Sequence, residues 1–172
     1  MRRLALFLAA AALPGAASAA LPVGAKAPDF RTAGALAGKP FTVHLAEQLR
    51  HGPVVLYFYP KAFPQGCTLE AKAFSDAMPE FRKAGARVIG MSADDLPTLQ
   101  KFSTEACRGR FPVATASAAT IEDYDVKLPV ARMSNRTSYV IAPDGRIAFV
   151  HSDLSWKEHV AKTLAAVQAL KR

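Results

Sequence analysis

The residues best suited to chemistry in this chain are two cysteines, Cys67 and Cys107, with the charged groups Lys61 and Glu70 close to Cys67 in sequence and Arg136 immediately before the stretch Thr137–Ala142. Cys67 follows the run Val54-Val55-Leu56-Tyr57-Phe58-Tyr59 and the loop Pro60-Lys61-Ala62-Phe63-Pro64-Gln65-Gly66, which places it at a helix start. A helix N-terminus carries unpaired N–H groups and a partial positive charge that favour an anion, and a thiolate is the nucleophilic form of cysteine. A reactive thiol is one reading. A small buried residue in the first turn is the other.

A continuous β-branched and aromatic run of this kind is a strand buried on both faces, so a core strand aims Cys67 at a surface. After Cys67, the apolar residues Ala71, Phe74, Met78 and Phe81 recur at helical spacing. Pro79 lies inside that pattern and predicts a kink or a restart near Ser75-Asp76. Ala86–Ser92 reads as a second buried strand. Asp94 or Asp95 caps the next helix, with Leu96, Leu99, Phe102 and Ala106 as its apolar face and Cys107 in its last turn.

The remaining elements are read the same way. Thr32–Lys39, rich in Ala and Gly, reads as a turn before the alternating strand Phe41–Leu45. Phe111–Ala114 is a short strand, Ala118–Tyr124 a short helix and Asp125–Asn135 a loop. Thr137–Ala142 and Ile147–His151 flank the turn Pro143-Asp144-Gly145-Arg146 as a hairpin, and Ser155 caps a final helix with Val160, Leu164, Val167 and Leu170 on its apolar side. This order predicts an α/β fold, a three-layer sandwich with a mixed central sheet flanked by helices.

With 172 residues and 51% hydrophobic composition the chain suffices for one core. Met1-Arg2-Arg3, the uncharged stretch from Leu4 and the A-x-A site Ala17-Ser18-Ala19 predict a secretory signal peptide over residues 1–19, leaving a domain of residues 20–172. Pro14-Gly15 leaves the apolar run too short to span a bilayer, so no stable membrane association is expected after cleavage. Export lets two thiols persist as a disulfide, and Cys67 with Cys107 is the one pairing available, either a structural staple or a redox pair.

The formal charge of +8 includes Arg2 and Arg3. The other basic residues are scattered without an aromatic-interleaved stripe, so a nucleic-acid partner is not expected. His44, His151 and His159 have no metal-ligand companions at recognisable spacing and are assigned structural, surface or packing roles; no metal and no cofactor are expected.

Tyr57–Phe74, together with Arg136-Thr137-Ser138-Tyr139 and Pro143-Asp144-Gly145, resembles the peroxiredoxins, in particular the bacterioferritin-comigratory-protein (PrxQ) branch. The resemblance implies a thioredoxin-like fold and a thiol-dependent peroxidase acting on hydrogen peroxide or organic hydroperoxides. It makes Cys67 the peroxidatic cysteine, Arg136 the motif arginine, Pro60 the motif proline and Glu70 a candidate for positioning Arg136 or relaying a proton. Glu70 as an ordinary first-turn acid remains open.

Pro60, Pro64, Gly66 and Arg136 are the expected substrate-binding positions. Pro64 stands where the family has Thr or Ser and supplies neither a hydroxyl nor an N–H. The alternative is therefore a catalytically weakened redox sensor or a thiol-disulfide oxidoreductase. Lys72 occupies the position of one family resolving cysteine, and Cys107 matches the version on the following helix. The resemblance further implies a thioredoxin-like dithiol reductant as partner, and the leader implies a periplasmic location. The short end after Lys171-Arg172 fits a monomer.

Overall fold

The structure, a computed structural model, describes residues 20–129 and 132–170. The signal peptide expected over residues 1–19 lies outside the described residues. Among those described, no helix is long and apolar enough to cross a membrane.

The chain runs β1 (Arg31–Leu36), β2 (Lys39–His44), α1 (Leu45–Leu49), β3 (Val54–Phe58), α2 (Gln65–Lys83), β4 (Arg87–Ser92), α3 (Leu96–Glu105), β5 (Val113–Thr115), α4 (Ala118–Asp123), β6 (Thr137–Ile141) and β7 (Ile147–Ser152). A 3-10 turn (Trp156–Glu158) then leads into α5 (His159–Ala169). The seven strands form one sheet in the order β2-β1-β5-β4-β3-β6-β7, parallel at β3/β4 and β4/β5 and antiparallel elsewhere.

β3 lies inside the sheet, fully buried along its length. Successive side chains of a strand point to opposite faces. Val55 and Tyr57 accordingly join a core with residues of α2, α3 and α5, including Phe74, Phe102 and Val167, while Val54, Leu56 and Phe58 join a second core with Leu45, Ile121 and Tyr124. This is the expected three-layer sandwich with a mixed sheet.

Three local expectations are corrected. Residues 31–36 form β1 rather than a turn, and the turn is confined to Ala37 and Gly38, both at positive φ (51° and 78°). The small residues serve close packing: a Cβ at Gly34 would meet Val43 Cγ2 at 2.7 Å and the Val113 carbonyl oxygen at 2.8 Å. Pro79 neither ends nor restarts α2, which runs unbroken from Gln65 to Lys83. The buried stripe Phe74, Met78, Phe81 crosses the proline and holds both halves to the core, outweighing one missing backbone bond.

The closing helix is the third. Ser155 makes no side-chain cap, and the buried line of α5 is His159, Thr163 and Val167, with Leu170 41% exposed. The short helix α1 begins at Leu45, which the sequence pattern assigns to the end of a strand, while Asp95 caps α3 as expected by accepting from the Thr98 N–H at 3.0 Å, and His44 is bonded to Asp29 and Arg31.

Candidate active site

Pro64 is the N-cap of α2, so Cys67 is the third helical residue, at the end of the buried stripe and 4% exposed. The loop that delivers it is held from three sides. Tyr59 N–H donates to the Met91 carbonyl at 3.0 Å, Ala62 N–H to Asp94 Oδ2 at 2.7 Å, and Ser134 Oγ to the Tyr59 carbonyl at 3.0 Å.

The register of β3 against β6 pairs Phe58 with Thr137, which sets the preceding Arg136 beside the end of β3 and over the start of α2. Its guanidinium is used in three directions. Nη2 donates to Cys67 Sγ at 3.3 Å, Nη1 to Glu70 Oε2, and Nε to the Leu154 carbonyl at 2.9 Å. A planar fork with donors on three nitrogens can do this; an ammonium group cannot.

Glu70 lies three residues after Cys67, so both face Arg136 from one side of α2. It is fully buried. Burial raises the Glu70 carboxyl to about 8, against the opposing pull of the Arg136 charge. The structure thus places Glu70 against Arg136, as the family resemblance implies, and joins it there to a histidine for which the sequence indicates a surface or packing role.

That residue is His159. Its Nδ1 lies 3.8 Å from Glu70 Oε1, an atom without a hydrogen-bond partner. Nε2–H donates to the Asp153 carbonyl at 2.9 Å, which leaves Nδ1 to accept from Ser138 Oγ at 2.8 Å. Burial lowers His159 to about 4, so it is neutral near pH 7. Spacing could have exposed it, because His159, Thr163 and Val167 recur every fourth residue on the buried side of α5.

These two shifts set opposed pH dependences. Glu70, raised from 4.5 to about 8, contributes stability that is lost as pH rises through that window; His159, lowered from 6.5 to about 4, contributes stability lost as pH falls through its own. Above pH 6.5 the opposing histidine slope fades as the unfolded-state imidazoles lose their protons, and the Glu70 slope dominates. Urea unfolding from pH 6.5 to 8 should show declining stability in the native chain and a flatter profile for Glu70→Gln.

The other predicted positions lie around this centre. A Cβ on Gly66 would touch Arg136 Nη2 at 3.6 Å and Trp156 Cδ1 at 3.7 Å, so this residue lines the approach to the thiol without being sterically required to be glycine. Pro60 is half-buried, whereas Lys61 and Pro64 are exposed. Pro64 makes no side-chain cap. Its backbone, φ −49° and ψ 146°, is open to threonine, so Pro64→Thr should restore a cap and a hydroxyl. The expected gain is about 1 kcal/mol in stability and roughly tenfold in the rate of thiol oxidation by peroxide, read by urea titration and stopped flow.

Phe63 stands at φ 76°, a left-handed conformation that is strained for a bulky residue. Its ring packs edge-on to Phe102 at 5.3 Å, and the Phe102 carbonyl accepts the Cys107 N–H at 3.1 Å. Phe102 thereby links the two cysteine-bearing segments.

No disulfide joins Cys107 to Cys67. Both thiols are free, and Cys107 lies two residues beyond the end of α3 rather than in its last turn, fully buried. Its carbonyl accepts from Ser75 Oγ at 2.7 Å. Ser75 is eight positions along α2 from Cys67, so the Cys107 backbone is anchored about two turns beyond the start of that helix. Burial also pushes the Cys107 thiol well up. Among the described residues, no group of three or more His, Cys, Asp or Glu is arranged to hold a metal.

A helix-start cysteine bonded to a guanidinium, itself locked on a buried carboxylate, within a thioredoxin-like sandwich defines a thiol-dependent peroxidase. The model of the AhpC/TSA family matches residues 23–150, and the chain belongs to that family. It is similar to a Mycobacterium tuberculosis protein bearing a peroxiredoxin name, 34% identical over 136 residues, covering 74% of this chain and 85% of the relative. Peroxiredoxin Q of Populus jackii is 33% identical over 121 residues, covering 69% of this chain and 56% of the relative. Among solved structures, peroxidoxin BcpB from Mycobacterium tuberculosis superposes with a TM-score of 0.78 at 30% identity, over 87% of this chain and 98% of that one.

Proposed function

We propose that this enzyme reduces hydrogen peroxide or organic hydroperoxides through Cys67, with Cys107 as resolving thiol and a thioredoxin-like dithiol as reductant. The observation that carries it is the Arg136 guanidinium, bonded at once to Cys67 Sγ and to the buried Glu70. The Cys67 thiolate attacks one peroxide oxygen. As the S–O bond forms, the O–O bond breaks, and the departing oxygen takes a proton to leave as water or alcohol. Arg136 supplies positive charge and donors where that negative charge develops.

The sulfenic acid on Cys67 is then attacked by the Cys107 thiolate, forming the disulfide and releasing water. A dithiol donor reduces that disulfide and is itself oxidised. Forming that disulfide requires unwinding the first turns of α2 and releasing the segment after α3. The strained Phe63 and its contact with Phe102 mark where the two movements meet.

The apolar leader supports export and work in the periplasm. A second reading, a redox sensor with little turnover, is favoured by Pro64. A coupled assay with thioredoxin, thioredoxin reductase and NADPH separates the two. Peroxide-dependent NADPH oxidation that saturates with thioredoxin supports the peroxidase, and thiol oxidation in a single event without turnover supports the sensor.

A further inference from the structure

Far from Cys67, where α2 ends and β3 and β4 begin, a cleft of about 510 Å³ opens. Arg82 is fifteen positions along α2 from Cys67, about 22 Å at the helical rise. Its buried floor includes Met78, Val88 and Phe111, and the exposed apolar side chains of Leu36 and Phe41 form a wall. Arg82, Arg87 and Arg110 line it and, among the described residues, no carboxylate does.

These three arginines are held in place but not neutralised. Arg82 Nη2 donates to the Arg110 carbonyl at 2.9 Å, and Arg87 Nη1 reaches Gln48 Oε1 at 3.4 Å. Asp76, which feels the charge of Arg110, is already paired with Lys72 and Arg108. An apolar floor beneath unneutralised guanidiniums is complementary to an anion bearing a hydrocarbon chain, and the volume lies in the usual range for small-molecule sites.

We propose that this cleft binds an amphipathic carboxylate, the chain against Phe41, Met78 and Phe111 and the head group on Arg87 and Arg110. Occupancy has a consequence for the redox cycle. Arg110 N–H donates to the Cys107 carbonyl at 2.9 Å, and Phe111 and Cys107 share one core. A ligand that holds this segment folded opposes the release of Cys107 and slows disulfide formation, a consequence that rests on Cys107 being the resolving thiol.

Titration of the reduced chain with decanoate, by calorimetry, tests binding without reference to peroxidase activity. Saturable one-site binding is expected, weaker by at least about tenfold for Arg87→Gln/Arg110→Gln and for acetate. No saturable binding, or equal binding to the variant, overturns the site. In stopped flow, decanoate at about ten times its measured dissociation constant should slow disulfide formation by about tenfold and leave the first oxidation of Cys67 unchanged. Binding without that slowing overturns the link to Cys107, while absence of any Cys67 oxidation counts against the peroxidase and leaves the binding result standing.

Discussion

Arg136→Gln should slow the reaction of the reduced enzyme with hydrogen peroxide by roughly 10²–10³-fold, the cost of losing a preorganised donor and its charge at the reacting centre. Glutamine can replace one bond of the guanidinium; Arg136 makes three, to Cys67 Sγ, Glu70 and the Leu154 carbonyl. Arg136→Lys should recover little, because one ammonium cannot span those directions. Without Arg136, which opposes the effect of burial, the Glu70 carboxyl rises further and stays protonated. Stopped-flow rates and urea titrations on the same samples separate lost chemistry from lost folding, and a rate within a few-fold of native in a folded variant contradicts the assignment.

Cys107→Ala should leave the first peroxide reaction unchanged and abolish the intramolecular disulfide. Cys67 would then stop at the sulfenic acid and, in excess peroxide, proceed to sulfinic acid, so that turnover with a dithiol donor falls to background. Alanine is preferred to serine because position 107 is fully buried, and an unpartnered hydroxyl there costs about 1–3 kcal/mol. Mass spectrometry after one equivalent of peroxide distinguishes the products. A disulfide-independent turnover equal to that of the native chain would remove Cys107 from the cycle.

The chemical centre was legible where function and helical spacing coincide. Cys67 and Glu70 stand three apart after a strand whose apolar run announces itself, and both meet Arg136 in the structure. His159 was hidden because a lone histidine carries no signal apart from the face it occupies, and of the apolar positions that attract notice on that helix only Val167 shares this face, the remaining member being Thr163. β1 was hidden for a related reason: its alanines and Gly34 resemble turn residues, and the neighbouring strand that requires their small size is distant in sequence. Pro79 shows the reverse, a strong local signal overridden by the packing of Phe74, Met78 and Phe81. The place of Cys107 against α2 depends on a tertiary bond, from Ser75 Oγ to its carbonyl, which no local pattern states.

The most direct measurement mixes the reduced chain, beginning at Ala20, with one equivalent of hydrogen peroxide in a stopped-flow instrument, followed by mass spectrometry. Rapid loss of the Cys67 thiol followed by a slower Cys67–Cys107 disulfide is the predicted result. Oxidation of Cys67 no faster than that of a free thiol would contradict a peroxidase centred on Cys67 and Arg136.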